Sequence, residues 1–140
     1  MIDIISNKFN SIASECIIRN AKEFEVKKEQ VQLVFKLGVD GNSEYLIYKD
    51  FKPNKVLTFL QVLNVRLDMK GYSLFVPSFI KGALNRFCDE NNISKHNVRV
   101  MIMTNEKGSL NMWLYNDSQY VKQVLLESLF DASDMVSMEQ

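Results

Sequence analysis

Val31-Gln32-Leu33-Val34-Phe35-Lys36-Leu37 and, further along, Val98-Arg99-Val100-Met101-Ile102-Met103 carry the strongest strand pattern in the chain. Both are rich in β-branched and apolar residues and put one set of side chains on each side of an extended chain, the period-two pattern of a strand. Each runs into a turn signal, Asp40-Gly41-Asn42-Ser43 in the first case and Glu106-Lys107-Gly108-Ser109 in the second. Each then returns as a second extended stretch, Tyr45-Leu46-Ile47-Tyr48 and residues 110–116. Two hairpins are therefore predicted.

Working outward, the periodicity changes. Ile5, Phe9, Ile12, Cys16, Ile17 and Phe24 recur at helical spacing, which predicts an amphipathic helix before the first hairpin. Pro77-Ser78 opens another, with Phe79, Ile80, Ala83, Leu84, Phe87 and Cys88 on one face. Pro53 is expected to end the first hairpin and Asn54 to cap a helix through Val56, Leu57, Phe59, Leu60, Val62 and Leu63. That helix is apolar on nearly every side, so it is expected between layers or in an interface. Asp117 or Ser118 is expected to cap a last helix containing Val121, Val124, Leu125 and Leu129. Residues 65–76 fit a helical extension and a short hairpin equally well.

Sliding the chain along itself by 67 residues brings Ser11 onto Ser78, Arg19 onto Arg86, Val31 onto Val98, Gly41 onto Gly108, Tyr48 onto Tyr115 and Asp50 onto Asp117. The order of predicted elements matches as well, which points to an internal duplication. The expected fold is α+β: about four antiparallel strands as two hairpins with flanking helices, an αββα unit occurring twice. The repeats are set at 5–67 and 72–130 in a single domain over 1–130, with 131–140 as a flexible acidic tail. The element order resembles that of small secretion chaperones in outline; those run acidic where this chain is neutral, and the likeness is one of architecture alone.

Composition narrows the function classes. The chain has 140 residues, 46% hydrophobic and 24% charged, ordinary values for a globular protein. Lys plus Arg and Asp plus Glu balance at 17 each, which argues against a protein whose main work is coating nucleic acid. The two cysteines, Cys16 and Cys88, fall on apolar helix faces, the habit of buried thiols in a reducing compartment. The N-terminal residues lack the pattern of a signal peptide, and no apolar run is long enough to span a bilayer; a cytoplasmic protein without a membrane partner is expected. The Asn-, Lys- and Ile-rich vocabulary suits an AT-rich genome such as that of a phage or a low-GC bacterium.

Motifs for catalysis are sparse. His96 is the only histidine and has no implied nucleophile or orienting acid. No zinc-ligand spacing, phosphate-cradling glycine loop or nucleophile elbow occurs. Asp50 and Asp117 occupy equivalent places, and turn formation accounts for both. No catalytic residue, cofactor or metal is therefore assigned, and an enzyme is the less favoured class.

The strands say more. One sheet face is core. Lys36, Tyr48, Arg99, Met101, Met103, Trp113 and Tyr115 fall on the other, and these residue types are enriched where proteins recognise partners. Either the apolar segment 56–67 covers this face, or the face is a recognition surface. The leading expectation is a non-catalytic protein-binding module (a small adaptor, inhibitor or chaperone) that binds another protein or forms a homodimer. The alternative is a nucleic-acid-binding regulator that stacks bases on the aromatic residues beside Arg99 and Lys36.

Overall fold

The structure, a computed structural model, describes residues 2–63, 67–73 and 75–131. The elements are α1 (Ile2–Phe24), β1 (Val31–Leu37), β2 (Ser43–Lys49), β3 (Lys52–Leu57), α2 (Phe59–Leu63), α3 (Val76–Asn91), β4 (Val98–Thr104), β5 (Leu110–Asn116) and β6 (Gln119–Val124), with 3-10 segments at Lys28–Gln30, Leu67–Tyr72 and Leu126–Phe130. The fold is α+β, and the six strands form one antiparallel sheet in the order β3-β2-β1-β4-β5-β6.

The two stretches of strongest strand pattern are the central strands β1 and β4, and they pair with each other. Val34 lies opposite Met101, its own counterpart at the 67-residue offset, so a local twofold axis passes between these two side chains. Around that axis the halves repeat in detail. Gly41 and Gly108 both take positive φ in the hairpin turns, and Asp50 and Asp117 do so after β2 and β5. The Asp50 amide donates to the Gln30 carbonyl at 2.9 Å and the Asp117 amide to the Asn97 carbonyl at 2.7 Å. Both long helices end in a left-handed residue, Glu25 and Asn92. The next amide in each case, Val26 or Ile93, donates back to Ala21 or Cys88 at 3.0 Å. Each outer pair of strands carries one register shift, just before Tyr48 in one half and just before Tyr115 in the other. This correspondence is consistent with an internal duplication.

Three expectations are corrected. The described residues form six strands where four were expected, three in each half. Lys52–Leu57 is the edge strand β3, and Val56 and Leu57 belong to it; the helix is confined to Phe59–Leu63. Gln119–Val124 is the opposite edge strand β6, followed only by a 3-10 segment, where a long last helix was expected. One physical reason covers these changes. The turns Asp50-Phe51 and Asp117-Ser118 are two residues long and reverse the chain at once, so the following residues pair as strands instead of starting helices. Pro53 is tolerated because it sits on an edge strand, where a missing N–H costs little. The undecided segment 65–76 contains the 3-10 segment Leu67–Tyr72; residues 64–66 and 74 and the tail 132–140 lie outside the described residues.

All the helices share one side of the sheet. α1 buries Ile5, Phe9, Ile12, Cys16 and Ile17, and α3 buries Phe79, Ile80, Ala83, Leu84, Phe87 and Cys88, the faces expected from their spacing. They meet Leu33, Phe35, Ile47, Val100, Ile102 and Leu114 of the sheet, with Phe59, Val62 and Leu63 of α2 in the same cluster. Each such fully buried side chain contributes about 1.5–3 kcal/mol of transfer free energy. Phe9 ties the layers together, its ring 5.7 Å from Phe35 and 5.5 Å from Phe130. Leu57, Phe59, Val62 and Leu63 are thus spent on the helix side, and among the described residues no helical side chain joins the apolar cluster on the other face.

Candidate binding face

The face turned away from the helices is built by alternation. Because Leu33 and Phe35 point into the core, Gln32, Val34 and Lys36 point out, and the register carries the rule across all six strands. The row through the twofold axis reads Val56, Leu46, Val34, Met101, Trp113 and Gln123. One row along, Lys36 lies opposite both Glu44 and Arg99, and Tyr115 lies between Arg99 and Tyr120. Val34, Leu46 and Met101 are buried at the centre, with Tyr48, Met103 and Tyr115 packed against them. A sheet face that none of the described helices covers has nonetheless made a second, small apolar core.

The tyrosines make walls over that floor. The register shifts before Tyr48 and Tyr115 add one extra residue to each edge strand, Asn54 in β3 and Val121 in β6. Such bulges bend the strand and re-aim side chains. Between the walls runs a groove of about 200 Å³, lined by Val34, Tyr48, Phe51, Arg99, Met101, Tyr115, Asp117 and Ser118. Its two ends are counterparts in the repeat but differ in chemistry: Phe51 closes one, and Ser118 with Asp117 and Arg99 closes the other. Tyr115 meets Tyr120 edge-on, with centroids 6.0 Å apart.

Phe51 carries strain. It has φ of 65°, directly after Asp50 at 53°, the paired positive-φ geometry that hairpins normally give to Asn-Gly or Asp-Gly. A bulky L-residue there costs roughly 1–2 kcal/mol, yet Phe51 is 59% exposed and lines the groove. Two side chains hold this turn: Gln30 Nε2 donates to Asp50 Oδ1 at 3.0 Å, and Gln32 Oε1 accepts the Phe51 N–H at 2.9 Å; the Gln32 Nε2 is buried without a hydrogen-bond partner. The corresponding place in the second half holds Arg99, which donates from Nη1 to the carbonyls of His96 and Val98 at 3.0 and 2.9 Å.

Of the residues singled out from sequence, Tyr48, Arg99, Met101 and Tyr115 line one groove. Met103 packs on the same apolar cluster, and Trp113 stands beside Met101 in the axis row. Lys36 is tied to Glu44 at 3.7 Å, which takes part of its charge out of play. Val34, Leu46, Phe51 and Ser118 were missed. Leu46 and Val34 follow from the same alternation that flagged Tyr48; nothing in sequence alone places Phe51 over the groove.

The remaining chemistry is quiet. Cys16 and Cys88 are free, buried thiols, and burial pushes Cys16 up to about 11 and raises Cys88 as well, so neither is a thiolate nucleophile near neutrality. His96 is exposed in the turn before β4. Among the described residues no group of three or more His, Cys, Asp or Glu side chains gathers to hold a metal, and no helix is long and apolar enough to cross a membrane. No protein-family model, curated protein or solved structure matches the chain.

Proposed function

We propose that this is a non-catalytic protein-binding module, an adaptor, inhibitor or chaperone in kind, that docks a polypeptide on its uncovered sheet face. The observation that carries the reading is the second apolar cluster on that face, Val34, Leu46 and Met101 walled by Tyr48 and Tyr115, which none of the described helices covers. Aromatic and Met side chains around a preformed groove, with polar groups at the rim, are what interface centres are made of. Strain at an exposed Phe51 fits the same reading, since a side chain kept at a conformational cost has a use for its position.

The first partner to consider is a second copy of the chain, as a homodimer. The face measures roughly 600–700 Å² in projection from strand spacing and rise, close to the ~800 Å² each partner gives to a standard interface. With no net charge, two copies carry no overall repulsion.

A nucleic-acid role has one specific observation in its favour: Lys36, Arg99 and Tyr115 adjoin on the same face. The two readings separate on titration with a single-stranded oligonucleotide at low and high salt. A polypeptide surface gives no binding, or binding too weak to saturate. Saturable binding that collapses as salt rises and is lost in Arg99→Glu would transfer the function to nucleic acid.

A further inference from the structure

The repeat provides an internal comparison for a second place, on the helix side. Where α1 passes β3 and α2, the first half leaves a hollow of about 200 Å³ lined by Cys16, Arg19, Asn20, Glu23, Lys55, Leu57 and Gln61. At the corresponding place the second half is filled. Asn20 is replaced there by Phe87, 2% exposed, with the Arg86 guanidinium over its ring at 4.9 Å and donating to the Ser128 carbonyl. The helices are truly equivalent at these positions, because both end in the same left-handed cap with matching back-bonds.

The hollow is polar and under-satisfied. Asn20 is only 6% exposed. Its Nδ2 donates to the Cys16 carbonyl at 2.8 Å, and since a carbonyl only accepts, the amide's orientation is fixed. That leaves Oδ1 buried with no hydrogen-bond partner, an unmet acceptor on a side chain that lines the hollow. Gln61 uses its Oε1 on the Thr58 amide at 2.8 Å, so its Nε2 is the edge left for another partner. Lys55 pairs with Glu23 at 2.9 Å, while Arg19 forms no ion pair among the described residues. The lining therefore carries one cation in excess, a free amide donor and an unmet acceptor, beside the apolar Leu57.

From this arrangement we infer that the hollow between α1, β3 and α2 binds a small carboxylate that also bears a hydrogen-bond donor and a short apolar group, that is, a hydroxy or amino acid. Arg19 and the Gln61 amide take the carboxylate, charge-assisted at the guanidinium. The Asn20 Oδ1 accepts the ligand's hydroxyl or amino hydrogen, and Leu57 meets its apolar part. The site is separate from the sheet face, so its fate is independent of the proposed docking function.

The test is an NMR titration of the full ¹⁵N-labelled chain with 2-hydroxyisovalerate, following the side-chain amides of Asn20 and Gln61. Isovalerate, which lacks the donor, and 2-hydroxyisovaleramide, which lacks the charge, are the comparison arms. Saturable shifts at both amides are expected with the hydroxy acid, with each comparison arm about tenfold weaker, what one lost hydrogen bond is worth. Asn20→Phe, the second half's own choice, and Arg19→Ala should each abolish the saturable shifts. Absence of saturation with the hydroxy acid, equal response to all three compounds, or shifts that persist in Arg19→Ala would overturn the inference.

Discussion

The first half of the molecule and the second share a backbone plan down to the position of a bulge, and they spend it differently. At the sheet edges, β3 carries Lys52, Pro53 and Lys55, the charges and missing N–H that keep an edge strand from pairing with a stranger, while β6 has Gln119, Tyr120 and Lys122 in the same places. On the helix side the first half keeps a polar hollow around Asn20 where the second half packs Phe87. In the sheet-face turns the first half holds Phe51 with positive φ, whereas Ser118 takes no such conformation. The shared plan fixes where strands, turns and helix ends fall, and the halves differ in the side chains they place on it, in the core as much as on the surface.

The largest effect that should separate the halves lies in the core. Phe9 bridges Phe35 and Phe130, while its counterpart Val76 has no ring to offer. Phe9→Ala should cost about 3–5 kcal/mol in denaturant unfolding, and Val76→Ala clearly less; equal costs would mean that the two helices bear equally on the core.

Next comes an alkaline effect at Cys16, whose counterpart is Ala83. Its pKa is raised from 9.0 to about 11 by burial, so the folded state holds the thiol proton more tightly than the unfolded chain does. The stability this represents is complete below pH 9 and is lost as pH rises toward 11, roughly 2–3 kcal/mol in all. Tyr45, raised for the same reason, pushes in the same direction, so the comparison must be with Cys16→Ala. That variant should lose less between pH 9 and 11, and an unchanged alkaline slope would contradict the burial argument.

Smaller again is the exchange at the hollow. Asn20→Phe should raise stability by about 0.5–2 kcal/mol, as cavity filling does, while removing an unmet acceptor; a loss of stability would mean that the two helix positions do not share a packing environment. Smallest is the turn. Phe51→Gly should stabilise the protein by about 1 kcal/mol through relief of positive φ and at the same time weaken association through the sheet face. Ser118→Gly, with no strain to relieve, should not stabilise. A Phe51→Gly protein that is more stable yet associates as well as the parent would remove Phe51 from the binding surface.

Much of this was legible in residue order. Both central strands, both hairpin turns and the buried faces of α1 and α3 follow from periodicity, and the 67-residue offset emerged from a few identities such as Tyr48 with Tyr115. What escaped were β3 and β6. Their sequences, Lys52-Pro53-Asn54-Lys55 and Tyr120-Val121-Lys122-Gln123, lack clean alternation because each holds a bulge that breaks the period of two. Apolar residues at Val56, Phe59, Val62 and Leu63 then imitate a longer helix. The sheet face was identified residue by residue, since alternation alone puts Tyr48, Met101 and Tyr115 on one side. That none of the described helices covers it depended on where α2 goes, a tertiary outcome that local pattern does not encode. The hollow at Asn20 was invisible because a mid-helix Asn announces nothing until its counterpart is seen to be Phe87.

Docking of a polypeptide, a second copy first, on the outward sheet face is the proposed role. It is tested most directly by native mass from light scattering, at low and high salt, on the protein and on a Trp113→Ser, Tyr115→Ser variant. A dimer is expected whose mass does not respond to salt and which the double variant turns into a folded monomer. A monomeric parent at every concentration, a mass that falls as salt rises, or a dimer that survives the double substitution would contradict it.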